Sequence, residues 1–308
     1  MMVEKKVNIM NAQAVVVPIV PKIELKRILY ATDFSEASLS ALPLVSTIAR
    51  QYGSRVFVAN IWSPIPYAMV TSENAATVDR ADEEQARVHA KALLATPELN
   101  GLPVTVMVEP GGPVVELTRI VRQQKIDLLI AGTHGRTGLR HLVMGSVAEE
   151  LLRSLACPVL TVGPNVTARS MKSADIKHIL FPTDLSEESR TVFPYLASLA
   201  AEYKALLTLL HVLPIETATN SGARVLAEPL RQEMQKMFYP RIDPRSPAEF
   251  VIDFGDATEK ILAHADSGKA NLIGLGVRRA GEMTTHFRNT VAYKILLGAH
   301  CPVLTTRA

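Results

Sequence analysis

A glycine-rich stretch between residues 132 and 146 carries the strongest chemical signal in the sequence. It reads Gly-Thr-His-Gly from Gly132 to Gly135, runs through nine further residues, and ends on Gly145 and Ser146. Glycine permits positive φ and lets backbone N–H groups approach an anion closely. The spacing is neither that of a Walker A loop nor G-x-G-x-x-G. The stretch nevertheless has the composition of a loop that binds phosphate.

The elements on either side of this loop support the same interpretation. The apolar run Ile126–Ala131 precedes it and predicts a buried strand, and Val147–Leu155 follows it and predicts a helix. The start of a helix offers unsatisfied N–H groups and the positive end of its dipole. The order strand, loop, helix therefore predicts that backbone amides bind a phosphate group.

The form G-x-x-G, nine residues, G-[ST] after a buried strand resembles the ATP-binding signature of the universal stress proteins of the UspA type. The resemblance implies ATP as the ligand and leaves open whether Mg²⁺ accompanies it. The residues that it places at the site are Ala31, Thr32, Asp33, Ile61, Gly132, Thr133, His134, Gly135, Arg136, Gly145, Ser146 and Val147.

The loop residues would surround the phosphates. Gly132 and Gly135 would bring amides to one side, and the helix start at Gly145 would hold the other. Arg136 either adds positive charge or is solvated surface. We expect His134 to lie near the ligand rather than to act as a catalyst.

Two interpretations of Asp33 stay open. By resemblance, Ala31, Thr32 and Asp33 line the adenine and ribose end, where a carboxylate accepts hydrogen bonds from sugar hydroxyls or the adenine amine. From the sequence alone, Asp33 followed by Glu36 fits a helix capping box. Ile61 would touch adenine by resemblance, and an apolar residue there is equally expected in the core.

The chain contains two copies of one domain. Lys26–Glu36 matches Lys177–Glu187, and Ala156–Thr161 matches His300–Thr305. A repeat of this length indicates a duplicated domain, because solenoid periods are about 20–50 residues. The resulting division is an N-terminal arm (1–22), lobe one with the intact signature (23–163), a linker (164–175) and lobe two with a degenerate signature (176–308).

Strands alternate with helices in both lobes, which predicts an α/β fold with a parallel sheet covered on both faces. Right-handed crossovers make each lobe a doubly wound, Rossmann-like layer, and the resemblance implies the adenine nucleotide alpha hydrolase-like fold. We predict one continuous helix over Ser38–Gln51 and another over Ser189–Tyr203. Ligands of such sheets bind beyond the carboxyl ends of the strands. By resemblance, the final strands of the two lobes pair with each other.

Lobe two has lost parts of the loop. In an alignment on Cys157 and Cys301, Arg279 replaces Gly135 and Asn289 replaces Gly145. A β-carbon where Gly135 uses positive φ would cost about 1–2 kcal/mol. Arg278 and Arg279 could still meet phosphates with their side chains. We expect lobe two to bind ATP weakly or not at all, and to serve as a pseudo-symmetric partner.

The composition excludes several classes of partner. The net charge is +3, basic and acidic residues are interleaved, and aromatic residues make up 5%, which argues against nucleic acid. No apolar run approaches the ~20 residues that span a bilayer, so we expect a cytoplasmic protein without a membrane partner. A weak signal peptide at the N-terminus is the alternative. Cys157 and Cys301 are expected to be free, buried thiols.

The sequence thus predicts a nucleotide-dependent module of stress response or signalling. A slow ATPase or adenylate-handling enzyme and an interaction protein without nucleotide stay open as alternatives. No nucleophile–base pair and no metal-ligand spacing is evident, so no catalytic or metal-binding residue is predicted. By resemblance, we expect a homodimer with intrachain pairing of the lobes, a monomer being the alternative. The sequence does not identify the downstream protein or the stress that is sensed.

Overall fold

The two lobes repeat one order of strands and helices. The computed structural model describes residues 22–63, 72–133, 144–166, 176–214, 223–277 and 290–307. Lobe one contributes β1 (Arg27–Ala31), α1 (Glu36–Leu39), α2 (Leu42–Tyr52), β2 (Arg55–Trp62), α3 (Ser72–Leu94), β3 (Val104–Pro110), α4 (Pro113–Gln124), β4 (Leu128–Gly132), α5 (Ser146–Ser154) and β5 (Val159–Val162).

Lobe two follows the same order. It contributes β6 (His178–Pro182), α6 (Glu187–Arg190), α7 (Phe193–Tyr203), β7 (Leu206–Leu213), α8 (Ala223–Phe238), a 3₁₀ turn (Tyr239–Arg241), β8 (Ala248–Phe254), α9 (Ala257–Ser267), β9 (Leu272–Val277), α10 (Val291–Gly298) and β10 (Val303–Arg307). In the part of the chain that the structure describes, no helix combines the length and the apolar character that crossing a bilayer requires.

The strands of both lobes form a single ten-stranded sheet. Its order is β3-β2-β1-β4-β5-β10-β9-β6-β7-β8. Strands are parallel within each lobe, whereas β5 and β10 pair antiparallel, with Val303 opposite Thr161 and Thr305 opposite Val159. The expected pairing of the final strands is therefore confirmed, and the seam between the lobes is a strand ladder.

Apolar side chains cover both faces of this sheet. Along β1, Ile28 and Tyr30 belong to one buried cluster, and Leu29 between them belongs to the cluster on the opposite face. Successive side chains of a strand point to opposite faces, so a strand buried on both sides needs an uninterrupted apolar run. Each cluster extends through both lobes, and the lobes therefore share their core.

The prediction of one continuous helix after the first strand of each lobe is wrong. The chain forms the short helix α1, turns at Ser40, and begins α2 at Leu42 with Pro43 in the first turn. Proline is tolerated there but would remove a hydrogen bond and clash in a helix interior. Lobe two breaks in the same way before Pro194, between α6 and α7.

Both cysteines are free thiols, as predicted. Cys301 is buried and Cys157 is partly buried. Burial raises the pKa of each thiol to about 12. The two sulfur atoms therefore remain protonated at neutral pH and act as small apolar groups in packing.

Candidate functional site

A cavity of about 400 Å³ opens at the carboxyl ends of β1, β2 and β4 in lobe one. Nine of the twelve residues predicted for the site line it. These are Ala31, Thr32, Asp33, Ile61, Gly132, Thr133, Gly145, Ser146 and Val147. The other three, His134, Gly135 and Arg136, lie outside the described residues. The structure thus brings the two separate sequence motifs to one place.

The corner after β1 is built by hydrogen bonds of two side chains. The Thr32 hydroxyl accepts a bond from the Phe34 N–H at 3.0 Å and lies 2.9 Å from the Ser38 hydroxyl. Asp33 Oδ1 accepts bonds from the Ser35 N–H at 3.0 Å and the Ser35 hydroxyl at 2.6 Å. Phe34 takes a φ of 61°. These bonds fix the turn and place Asp33 on the cavity wall.

The capping-box interpretation of Asp33 is wrong. Ser35 is the N-cap of α1, and its hydroxyl accepts a bond from the Ser38 N–H at 3.2 Å. Glu36 begins the helix, so it stands at the first helical position relative to Ser35 and not at the third. Asp33 supports the helix indirectly, because its carboxylate orients the serine that caps it.

Two further side chains, one on β2 and one on β1, hydrogen-bond to the backbone of this corner and of α1. The Asn60 side-chain amide donates to the Thr32 carbonyl at 2.9 Å. The Tyr30 hydroxyl donates to the Ser38 carbonyl at 2.8 Å, and burial raises the pKa of Tyr30 to about 12. Tyr30 therefore stays protonated and keeps donating at any physiological pH.

The described ends of the glycine loop lie side by side. The Gly145 N–H donates to the Thr133 carbonyl at 2.9 Å, and the Thr133 N–H donates to the Val162 carbonyl at 3.0 Å. A β-carbon at Gly145 would lie 3.2 Å from the Thr133 carbonyl oxygen, and one at Gly132 would lie 3.2 Å from the Ala37 carbonyl oxygen. Glycine at both positions therefore permits the close approach of backbone to backbone.

Two helices begin at the mouth of the cavity, and each has a glycine as N-cap. Gly145 precedes α5 and Gly112 precedes α4, and no side chain in the described part of the chain caps either helix. Ser146, Val147 and the first residue of α4 line the cavity. The N–H groups of the first turn of a helix need partners from outside the helix. The start of α5 thus offers donors to a ligand.

The described wall of the cavity combines one charged residue with hydroxyl groups and apolar side chains. Asp33 is the only charged residue on the described lining of this cavity. Hydroxyl groups come from Thr32, Ser38, Ser63, Thr133 and Ser146, and alanine, isoleucine, leucine and valine side chains supply most of the rest. An apolar interior with hydroxyls and amides at its mouth suits a ligand that has one flat apolar part and one polar part.

Sequence reasoning missed several lining residues. Ser38, Ala59, Leu117 and Leu151 also line the cavity. Ala59 and Leu117 are buried, and their sequence pattern is that of ordinary core residues. Ser38 carried a usable signal, because it stands six residues after Thr32 and the same spacing separates Ser189 from Thr183 in lobe two.

Lobe two has a corresponding cavity of about 200 Å³. Its corner repeats the bonds of lobe one: Thr183 and Ser189 hydroxyls lie 2.8 Å apart, and Asp184 Oδ1 accepts from the Ser186 hydroxyl at 2.6 Å. Burial acts to raise the pKa of Asp184, but hydrogen bonds from Ser186, Ser189 and the Asp184 backbone together outweigh it, and the pKa is lowered. Lobe two therefore has the same Thr–Asp corner as lobe one, but its cavity has about half the volume.

The helices at the mouth of lobe two are capped by side chains. The Thr290 hydroxyl accepts from the Tyr293 N–H at 3.2 Å at the start of α10. Asp256 Oδ1 accepts from the Glu259 N–H at 3.0 Å at the start of α9. In the described part of the chain, side chains therefore cap these two helices in lobe two but not the corresponding helices in lobe one.

Comparison with known proteins decides the family. A model of the universal stress protein family matches residues 24–163 and again residues 175–307. The chain belongs to the universal stress protein family. It is a tandem member, and the predictions of family and of an α/β fold with two doubly wound layers are confirmed.

Individual universal stress proteins resemble the chain in whole or in part. A universal stress protein from Archaeoglobus fulgidus DSM 4304 has the same fold over 92% of this chain and 99% of its own, with a TM-score of 0.71 and 18% identity. Universal stress protein MJ0531 of Methanocaldococcus jannaschii is 28% identical over 138 residues, which are 44% of this chain and 81% of that protein. A universal stress protein solved in complex with cAMP matches 46% of this chain at 24% identity, with a TM-score of 0.32.

Proposed function

We propose that lobe one binds ATP and that the protein is a nucleotide-dependent module of stress response or signalling. Lobe two is then a pseudo-symmetric partner that binds nucleotide weakly or not at all. The observation that carries the proposal is the single cavity of about 400 Å³ around both the Thr32–Asp33 corner and the described ends of the glycine loop.

The two ends of the cavity suit the two ends of a nucleotide. The base would lie against the apolar interior, which includes Ala31 and Ile61, with the ribose hydroxyls at the Asp33 carboxylate. The phosphates would meet the amides at Gly132 and at the start of α5. A hydrogen bond to a charged group contributes about 1.5–3 kcal/mol. Several such bonds, reduced by the costs of association and ordering, correspond to about micromolar affinity.

Magnesium would enter together with the nucleotide. Asp33 is negative and would repel the phosphates unless a cation lies between them. Mg²⁺ commonly keeps water ligands and binds through phosphate oxygens with one or two carboxylates. Within the described residues, no group of three His, Cys, Asp or Glu side chains could hold a metal by itself. We therefore expect Mg²⁺ to strengthen ATP binding without a resident site of its own.

The test is isothermal titration calorimetry of ATP with Mg²⁺ on the full chain and on two matched variants. Asp33→Ala and Asp184→Ala remove the same carboxylate from the same serine-capped corner of the two lobes. We expect one site per chain, a loss of about tenfold or more in affinity for Asp33→Ala from the lost charged hydrogen bonds, and no change for Asp184→Ala.

Other outcomes would redirect the proposal. Two equal sites per chain, one lost in each variant, would show that lobe two binds as well. Absence of binding would favour an interaction protein without nucleotide, and steady release of phosphate that Asp33→Ala abolishes would favour a slow ATPase. Tight binding of cAMP that ATP does not displace would assign the cavity to a cyclic nucleotide.

A further inference from the structure

Four helices form one layer on the same face of the ten-stranded sheet. The helices α4 and α5 of lobe one and α9 and α10 of lobe two all contribute side chains to one buried cluster. α4 packs over β1 and β2, α9 packs over β6 and β7, and α5 contacts the seam strand β10. The order across the face is therefore α4, α5, α10, α9, and we call this set the four-helix layer.

The exposed charges on the outer side of this layer alternate in sign from helix to helix. α4 carries the exposed Arg122, and α5 carries the exposed Glu150. α10 carries the exposed Lys294, and α9 carries the exposed Glu259 and Asp266. Among the described residues, only Asp266 of these five has an ion-pair partner, a histidine of its own lobe. The layer therefore presents the order positive, negative, positive, negative to solvent.

The half-buried charged side chains of the same helices are engaged inside the chain. Arg119 of α4 binds two carboxylates of its own lobe. Lys260 and His264 of α9 contact the Asp253 carboxylate at 3.2 Å and 2.9 Å. Arg153 of α5 is half-buried, and its Nε lies in the interior. The exposed residues therefore contribute most of the charge that each helix offers to a partner.

An alternating order of charges is complementary to its own reversal. Two copies can bring their four-helix layers together around a two-fold axis in one of two ways. An axis along the strands places α4 over α9 and α5 over α10 of the other copy, so that opposite charges meet. An axis across the strands places each helix over its own equivalent, so that like charges meet. Electrostatics therefore favours the first arrangement.

The positions of the charges along the helices agree with the first arrangement. The lobes run in opposite directions because β5 and β10 are antiparallel, so α4 would lie antiparallel to α9 of the other copy. Arg122 stands near the end of α4 and Glu259 near the start of α9, which brings the two side chains to the same level. Glu150 and Lys294 stand near the middle of α5 and α10, so they also meet.

The size of the layer suits a reversible dimer. Its helices have 8 to 12 residues, and with a rise of about 1.5 Å per residue and spacings of about 10 Å they cover about 600 Å². A pair of such faces would bury about 1,200 Å², the lower limit for specific interfaces. Val115 and Val291, which are 69% and 39% exposed, add apolar surface to the charged residues.

We infer that the four-helix layer is an interface with a second copy of the chain, in which Glu150 lies opposite Lys294 and Arg122 lies opposite Glu259. Each pair occurs twice, because the two-fold axis makes the interface isologous. The homodimer expected from the sequence had no surface assigned to it, and its final strands are already paired within the chain. The inference does not depend on nucleotide binding.

The experiment reverses the central charges and measures self-association of the full chain by sedimentation velocity over a series of concentrations. Glu150→Lys and Lys294→Glu each place like charges opposite one another at two points of the dimer. We expect either change to raise the dissociation constant of the dimer at least about thirtyfold. Wild-type association should also weaken as the salt concentration rises, because the charges are exposed.

Two combinations of these changes should restore the dimer. The double variant with Glu150→Lys and Lys294→Glu again places opposite charges at both points. An equal mixture of the two single variants should form a heterodimer, because each reversed charge then meets its opposite on the other chain. Recovery in the mixture can come only from contacts between chains.

A matched control makes the same change of charge on the other side of the sheet. Glu233 is exposed on α8, which packs against the opposite face through Met234 and Phe238. Glu233→Lys should leave the dimer unchanged. Thermal unfolding checks that every variant is folded. If a central variant is not, Arg122→Glu and Glu259→Arg provide the same test at the outer pair.

Three outcomes would overturn the inference, and none of them bears on ATP binding. A wild-type chain that is a monomer throughout the concentration series would mean that the layer is a solvated face. A dimer that both single variants retain unchanged would use another surface. Single variants that dissociate, with no recovery in the mixture, would mean that Glu150 and Lys294 do not meet across the interface.

Discussion

The two lobes share a corner and differ in what surrounds it. Each has a threonine–serine hydroxyl pair and an aspartate that orients the capping serine of a short helix. Only lobe one combines this corner with glycine-capped helix starts and an interior of alanines. The corner is therefore a structural element common to both lobes, and under the proposed function the difference in ATP binding comes from the parts that differ.

The largest expected effect concerns the glycine at the end of the fourth strand of each lobe. A β-carbon at Gly276 would overlap the Glu188 carbonyl oxygen, whereas one at Gly132 would lie 3.2 Å from that of Ala37. Gly276→Ala should therefore lower the free energy of unfolding by about 3 kcal/mol or more, and Gly132→Ala by about 1 kcal/mol. Urea unfolding measures both. Equal losses would mean that the two lobes pack equally closely at this point.

A smaller effect should separate the two helix starts. Thr290 caps α10, so Thr290→Ala should cost about 1 kcal/mol of stability without changing ATP affinity. Ser146 stands at the aligned position but begins α5 after Gly145. Ser146→Ala should weaken ATP binding several-fold with little change in stability. Urea unfolding and calorimetry on both variants test the pair, and the reverse pattern would contradict the proposed division of roles.

A contact across the seam provides the next test. The N–H of the buried Met144 donates to the Tyr293 hydroxyl of lobe two at 3.4 Å, directly before Gly145. Tyr293→Phe keeps the ring but leaves this N–H unpaired, at a cost of about 1 kcal/mol. We expect ATP affinity to fall about two- to fivefold. Unchanged affinity would show that lobe two does not help to position the loop end, and Tyr195→Phe serves as a control distant from this contact.

The smallest effect is a dependence on pH. The pKa of Asp184 is lowered from its ordinary value of 3.8. A carboxyl whose pKa is lowered by folding stabilises the protein above its unfolded pKa, and this contribution is lost as the pH falls through the folded value. Asp184→Asn should therefore be less stable than wild type at pH 6, and the difference should shrink below about pH 4. Urea unfolding at both pH values checks it; a difference that does not depend on pH would contradict it.

The sequence predicted which residues meet at the cavity better than it predicted the size and shape of the cavity. Thr32, Asp33 and Gly132 lie at strand ends, and the carboxyl ends of parallel strands share one edge of a sheet, so their meeting followed from the order of elements. Ala59 and Ala131 also lie there, but a buried alanine has the same sequence pattern in a core and in a cavity. That these alanines stand on either side of Ala31 follows only from the strand register.

Two predictions about the segment after β1 were wrong, and the cause of each lies within that segment. Asp33 was a candidate N-cap because aspartate is favoured there, yet Ser35 takes that position and the aspartate binds Ser35 instead. The break before Pro43 was missed because the apolar periodicity continues across it. A proline in the first turn of a helix is itself a start signal, and it could have divided the predicted helix.

The ladder between β5 and β10 has a consequence for the evolution of the chain. Because the two lobes lie on one polypeptide, their association is intramolecular, and its strength does not depend on protein concentration. Each lobe always meets the same unlike neighbour, so a substitution in one is not copied into the other, as it would be in a homodimer of identical subunits. Lobe two could therefore accept Leu210 and Leu275 at the positions where lobe one has Ala59 and Ala131. The seam uses the inner edge strand of each lobe, and among the described strands it leaves β3 and β8 as the outer edges of the sheet.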